Sequence, residues 1–302
     1  MFAQFESRVM IYGTLTAETA LHLGTAGEML GARSDAAVIR DSAGRPFIPG
    51  SSFKGVLRSR LEELIRPFAC RLTACPLLEQ EGPTGCVSSD KALKRGLLRL
   101  LEQPSDEQVV DYLKYHTCDA CKLFGTAWSQ SKVLVRDLLL REPESWDPMY
   151  LEVRDGVMIE RDSRTAAAQR KFDYEAVPAG FQFESQLVVE NASPLELGLL
   201  FLALRQFEEG NVPLGGRSSR GLGWVRLTID SIEVTDATRE LWEPLQERDE
   251  ATLYHFLLHG RGYRLKGEAQ GEAEQAQFVQ AMIAAVEARL TGREKEDAPQ
   301  AD

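Results

Sequence analysis

The chain has 302 residues, enough to bury one sizeable core with appendages, and its 43% apolar and 27% charged content fits a soluble folded protein rather than a disordered one. No run approaches the ~20 consecutive apolar residues that span a bilayer, and the stretch from Met1 to Gly13 lacks the basic-then-apolar pattern of a secretion signal, so the expected compartment is the cytoplasm. The formal charge of -11, taken alone, argues against a phosphate-bearing partner, yet roughly half of that excess lies beyond Val234 while basic residues gather in Gly-rich segments ahead of it.

Residues Ser7 to Gly24 alternate apolar and polar positions through Val9, Ile11, Gly13 and Leu15, which predicts a first strand. A loop of small residues follows, then a short apolar run over Ala36 to Ile39 and a turn over Asp41 to Arg45. Phe53, Val56, Leu57, Leu61, Leu64 and Ile65 recur at helical spacing, so a helix is expected from Ser51 or Ser52, with serine as its N-cap, to near Pro67.

The stretch from about residue 66 to 125 reads as an insertion, with a charged helix over Asp90 to Glu102 and a cysteine-bearing segment over Tyr115 to Phe124. Val133 to Leu140, Gln182 to Val189 and Trp224 to Val234 are expected strands, and Leu195 to Phe207 a strongly apolar helix. That order predicts an α+β fold of the ferredoxin-like kind over residues 1–234. Residues 235–302 read as a C-terminal extension with one helix over Ala273 to Leu290 and a disordered acidic tail from about Thr291.

Two segments combine glycine, hydroxyl and base. In the first, Gly50, Ser51 and Ser52 open a helix whose first N–H groups can hold a phosphate, with Lys54 and Arg58 a turn apart to add charge. A capped helix with a solvated basic face is the plainer reading, and the spacing is not that of a Walker A loop. In the second, Gly215, Gly216, Arg217, Ser218, Ser219 and Arg220, followed by Gly221 and Gly223, lie between a helix and a strand. The glycines permit close backbone approach and the arginines and serines supply phosphate donors. An ordinary tight turn needs fewer glycines and no arginine pair.

Five cysteines, two of them spaced C-x-x-C, favour metal ligation over a disulfide framework in a reducing compartment. His116, Cys118 and Cys121 supply ligands for a tetrahedral structural Zn2+, with the fourth from Cys70, Cys75 or Cys86, of which Cys86 is taken. Buried free thiols are the alternative.

Three segments together, Asp35 to Asp41, Phe47 to Gly55 and Leu214 to Gly223, resemble the signature segments of the RAMP superfamily, and the first two resemble its repeated backbone subunit in type III CRISPR complexes. The resemblance covers about residues 8–234. It implies a modified RNA-recognition-motif palm, a thumb hairpin at about 154–180, and a filament of neighbouring RAMP subunits on a CRISPR guide RNA. It also implies that a loop aspartate, here Asp35, cuts paired target RNA with Mg2+ or Mn2+. Arg33 stands close enough in the chain to counter charge at the scissile phosphate.

In the thumb, Arg161, Arg164, Arg170 and Lys171 carry charge beside Phe172 and Tyr174, although Ala166 stands where the family usually has a glycine. The competing readings are a non-catalytic guide-binding subunit, a guide-processing endonuclease using a histidine, and a metalloenzyme built on the His116–Cys121 cluster.

Overall fold

The computed structural model describes residues 5–24, 36–68, 71–76, 85–102, 106–142, 146–159, 166–236, 263–266 and 269–292. In chain order they form β1 (Ser7–Ala17), β2 (Phe47–Ile48), α1 (Gly50–Ile65), α2 (Lys91–Glu102), α3 (Asp106–Tyr115) and α4 (Asp119–Phe124). Next come β3 (Val133–Val135), β4 (Leu138–Leu140), β5 (Glu152–Ile159), β6 (Ala166–Ala176) and β7 (Gln182–Glu190). The last elements are α5 (Pro194–Glu208), β8 (Val212–Pro213), β9 (Trp224–Asp236), β10 (Tyr263–Lys266) and α6 (Ala269–Thr291).

The main sheet runs β10-β9-β1-β7-β4-β2, with β3 also on β7 and β8 on β9, and these pairings are antiparallel. β1 lies inside this order because its alternation buries Val9, Ile11 and Leu15 on one face. It stops at Ala17, short of the expected Gly24, and Leu21 and Gly24 instead make isolated bridges to Val177 and Val38. β5 and β6 form a separate two-stranded hairpin, pairing Glu152 with Ala176 and Asp155 with Asp173. The α+β class is as expected, and the main sheet is antiparallel.

α1 begins at Gly50 with Pro49 as its cap, and no serine hydroxyl caps it. The Gly50 N–H donates instead to the Asp137 carboxylate at 2.8 Å. The strand expected over Val133 to Leu140 is correspondingly broken at Arg136 and Asp137 into β3 and β4.

α5 has a capping box, Ser193 Oγ accepting from the Glu196 N–H and Glu196 returning to the Ser193 N–H, with Glu196 also paired to the buried Lys132 at 2.7 Å. α5 is apolar on nearly every side, and such a helix needs two covers. α1 supplies part of one, with Phe53 and Phe207 ring centroids 4.8 Å apart. α6 supplies another: Phe278 meets Phe201 edge to face, and Phe278, Met282 and Val286 are buried.

The α5–α6 approach is close enough that a Cβ at Gly198 would stand 2.2 Å from the Met282 carbonyl oxygen. β10, which the residue pattern does not announce, adds to β9. Part of the C-terminal extension is thus built into the core, while the acidic tail expected from about Thr291 falls mostly outside the described residues. Met282→Ala should cost about 2–3 kcal/mol in denaturant unfolding. A change under about 0.5 kcal/mol would contradict the packing of α6 on α5.

Candidate nucleic-acid interface and cysteine cluster

The Gly-rich segment after β8 lies flat on the chain that follows β1. Gly216 N–H donates to the His22 carbonyl at 2.9 Å, Gly223 N–H to the Ala20 carbonyl at 2.9 Å, and Leu214 N–H to the Gly223 carbonyl at 2.8 Å. Gly215 has φ +83°, and a Cβ there would stand 2.4 Å from the His22 carbonyl oxygen, so glycine is required twice over. Gly215, Gly216 and Arg220 are exposed, and Ser218 is half-buried in a short 3-10 turn.

Arg217 adopts the left-handed conformation, φ 63°, uncommon for a residue with a long side chain. Its guanidinium stacks 4.0 Å from the Tyr174 ring centroid and 4.9 Å from that of Phe172, both on β6 at the base of the hairpin. Its buried Nε has no hydrogen-bond partner among the described residues. The sequence places these aromatics and this arginine about 43 residues apart; the fold makes them one surface.

The same place fixes both ends of the segment 25–35. Gly24 bridges Val38, Ala36 bridges Tyr174, and Glu175 N–H donates to the Ala36 carbonyl at 3.0 Å. The fully buried Glu175 carboxylate accepts from the Val38 N–H and pairs with Arg40. His22 is buried, with Nδ1 2.6 Å from the Glu175 carbonyl oxygen and its ring edge-on to Tyr174. Asp35, Arg33, Arg161 and Arg164 lie outside the described residues.

At the start of α1, Ser51 is exposed, and the Ser52 N–H is already bonded to the Pro49 carbonyl at 2.9 Å. With Gly50 bonded to Asp137, fewer first-turn N–H groups remain for a phosphate than the sequence suggests. Lys54 is half-buried, and burial first, then repulsion from Arg58, pushes its pKa down.

Arg58 is held by internal partners. Nε donates to Glu62 at 2.8 Å, Nη1 to the Gly125 carbonyl at 3.3 Å, and Nη2 to Cys121 Sγ at 3.2 Å, while 32% of the side chain stays exposed. Burial opposes its charge, but the Glu62 hydrogen bond and the neighbouring thiols raise its pKa on balance. The basic face predicted for α1 is therefore tied at Arg58 into the cysteine segment.

Cys75, Cys86, Cys118 and Cys121 are buried, and their sulfurs lie within 4.8 Å of one another. Cys75 Sγ is 3.5 Å from Cys121 Sγ, the Cys75 N–H points at Cys118 Sγ at 3.3 Å, and the Cys118 N–H at Cys86 Sγ at 3.5 Å. The C-x-x-C pair sits at the N-terminus of α4, and Asp119 clamps the segment carrying Cys75 by accepting from the Thr73 N–H at 2.7 Å.

His116 takes a different position from the one expected. Its ring stacks on Tyr112 at 4.4 Å, and its carbonyl receives the Val87 N–H at 2.7 Å. Cys75 completes the group of four in its place, while Cys86 joins as expected and Cys70 lies outside the described residues. The hydrogen bond with Cys118 brings the Cys121 thiol down to about 7 and also lowers Cys86, while the hydrogen bonds with the other thiols and burial hold Cys118 above the ordinary thiol range and Cys75 is raised as well, so two of the four sulfurs give up protons easily and two keep them. A tetrahedral ion with Zn–S near 2.3 Å needs sulfurs roughly 3.8 Å apart, and these four residues fit it.

These features define an antiparallel α+β palm that carries an arginine-bearing glycine turn, a two-stranded hairpin and a four-thiol knuckle. Residues 14–226 match the RAMP superfamily, and the chain belongs to that family. It is similar to the CRISPR system Cms endoribonuclease Csm3 of Methanocaldococcus jannaschii, 29% identical over 73% of this chain and 79% of that protein. The proteins of the same name from Enterococcus italicus (29%, covering 75% and 92%) and Methanothermobacter thermautotrophicus (24%, covering 84% and 95%) are also similar.

Proposed function

We propose that this chain is a guide-RNA-binding backbone subunit of a type III CRISPR effector complex and cuts guide-paired target RNA with Asp35 and a divalent cation, Mg2+ or Mn2+. The supporting observation is the juxtaposition of the Arg217 turn, the hairpin base at Phe172 and Tyr174, and the anchors on either side of residues 25–35. A phosphate strand crossing the glycines meets Arg217 and Arg220, and Arg217, stacked on two rings, is pre-oriented to donate. The names of the relatives, all endoribonucleases of a CRISPR system, point the same way. Arg161 and Arg164 of the hairpin, Ser51, Ser52 and Lys54 at α1, and Arg33 are the further RNA-facing residues in this reading. Neighbouring RAMP subunits and the target RNA are the partners.

The four thiols are assigned a structural Zn2+, which supplies no reaction chemistry because protein sulfurs fill all four positions. A guide-processing reading through histidine gains nothing from His22 or His116, whose rings are packed against Tyr174 and Tyr112.

Arg217→Ala in the full-length protein should weaken guide RNA binding roughly tenfold and lower the slope of log affinity against log salt by about one. Arg217→Lys should keep the slope but recover little affinity, since a point charge does not stack on Tyr174. Unchanged affinity in Arg217→Ala would remove this turn from the interface.

A further inference from the structure

One pocket borders the cysteine cluster, since two of its lining residues, Arg58 and Ser88, contact Cys121. It has a volume of about 550 Å³ and is lined by, among others, Arg58, Ser88, Phe124, Trp128, Ser129 and Lys94. Among the described residues that line it there is no carboxylate, in a chain whose net charge is -11. That composition selects an anion, and the ring of Trp128 adds a flat apolar wall.

The pocket is built rather than incidental. The turn that carries Trp128 is closed by Thr126, whose Oγ1 accepts from the Trp128 and Ser129 N–H groups at 3.0 Å, while the Thr126 N–H donates to the Ser129 carbonyl at 2.9 Å. Gly125, at φ +87°, lets the chain pass Ser131 so closely that a Cβ would stand 2.7 Å from its nitrogen. Arg58 is immobilised by Glu62, Gly125 and Cys121, and Lys94 Nζ rests 5.5 Å from the Trp128 ring centroid.

We infer that this pocket receives one nucleotide of an RNA strand, its base against Trp128 and its phosphate between Lys94 and Arg58. An aromatic face beside fixed cations is the arrangement that binds unpaired nucleotides without reading their sequence. An entering base takes the ring face, and the Lys94 ammonium beside that ring adds its charge to the phosphate side. Lys54 stands one turn before Arg58 on α1 and adds a second basic side chain toward the helix start. The inference rests on the RNA-binding reading above but places a separate contact.

The test uses the full-length protein with a fluorescent short riboadenylate oligomer and with AMP, checking the melting temperature of each variant. Trp128→Ala should weaken oligomer binding roughly tenfold, and Trp128→Tyr, which keeps a stacking ring, should restore most of it. Lys94→Gln should lower the salt slope by about one. An equal loss of AMP binding in Trp128→Ala would overturn the strand assignment in favour of a free nucleotide. Oligomer affinity within about twofold of wild type in both Trp128→Ala and Lys94→Gln would overturn the pocket. If Arg217→Ala still weakened the oligomer, the broader reading would survive that result, whereas a wild-type chain that bound neither probe would sink both.

Discussion

In a reconstituted effector complex, Asp35→Ala should slow cleavage of guide-paired RNA by roughly 10²–10⁴-fold, the range typical for losing a positioned acid–base or metal-holding group. Guide binding should be unchanged. The next residue, Ala36, is held through its main chain, by the bridge to Tyr174 and the bond from Glu175 N–H, so a side-chain change at position 35 leaves those anchors in place. Asp41 is the matched control. Burial opposes its ionisation, but bonds from Arg45 and Ala43 hold its carboxyl below the usual range and commit it to a turn. Asp41→Asn should therefore leave cleavage intact apart from a modest stability loss. Omitting Mg2+ and Mn2+ from the wild-type reaction should mimic Asp35→Ala. Full cleavage by Asp35→Ala would assign the chain a purely structural part.

The second large effect concerns the thiols. Purified protein should carry about one zinc per chain, and Cys118→Ser should lose it together with on the order of 4–5 kcal/mol of stability, a fall of roughly 10 °C in melting temperature. Cys75→Ser should match it, whereas His116→Ala should keep its metal, because the His116 ring faces Tyr112. Metal should be released as pH falls, since protons compete for the thiolates. Zinc below about 0.2 per chain in freshly prepared wild-type protein would reduce the cluster to four buried thiols.

Much of the palm was legible because it obeys simple periods. β1, β7 and β9 alternate, α1 repeats at helical spacing, and each begins within a few residues of its expected start. The all-round apolar character of Leu195 to Phe207 also held an unread signal. A helix buried on every side demands another layer, and α6 provides it, so the extension was never a free appendage.

Other features depend on contacts that no local pattern encodes. Cys75 lies 43 residues before Cys118, and nothing in its neighbours separates it from Cys70 as a ligand. His116 has suitable spacing to Cys118, but spacing does not tell which way a ring turns at the end of α3. Asp137 caps α1 from 87 residues away, displacing the serines from that task. Arg58 looked like a surface base one turn from Lys54, and its bond to Cys121 appears only when helix and knuckle meet.

The most direct measurement is ultraviolet cross-linking of the complex purified with its native partners, followed by mapping of RNA-bound peptides. RNA should co-purify, and cross-links should fall on the peptide spanning Arg217 to Trp224 and on the β6 segment with Phe172 and Tyr174. A particle free of RNA, or cross-links confined to surfaces remote from both peptides, would contradict the account.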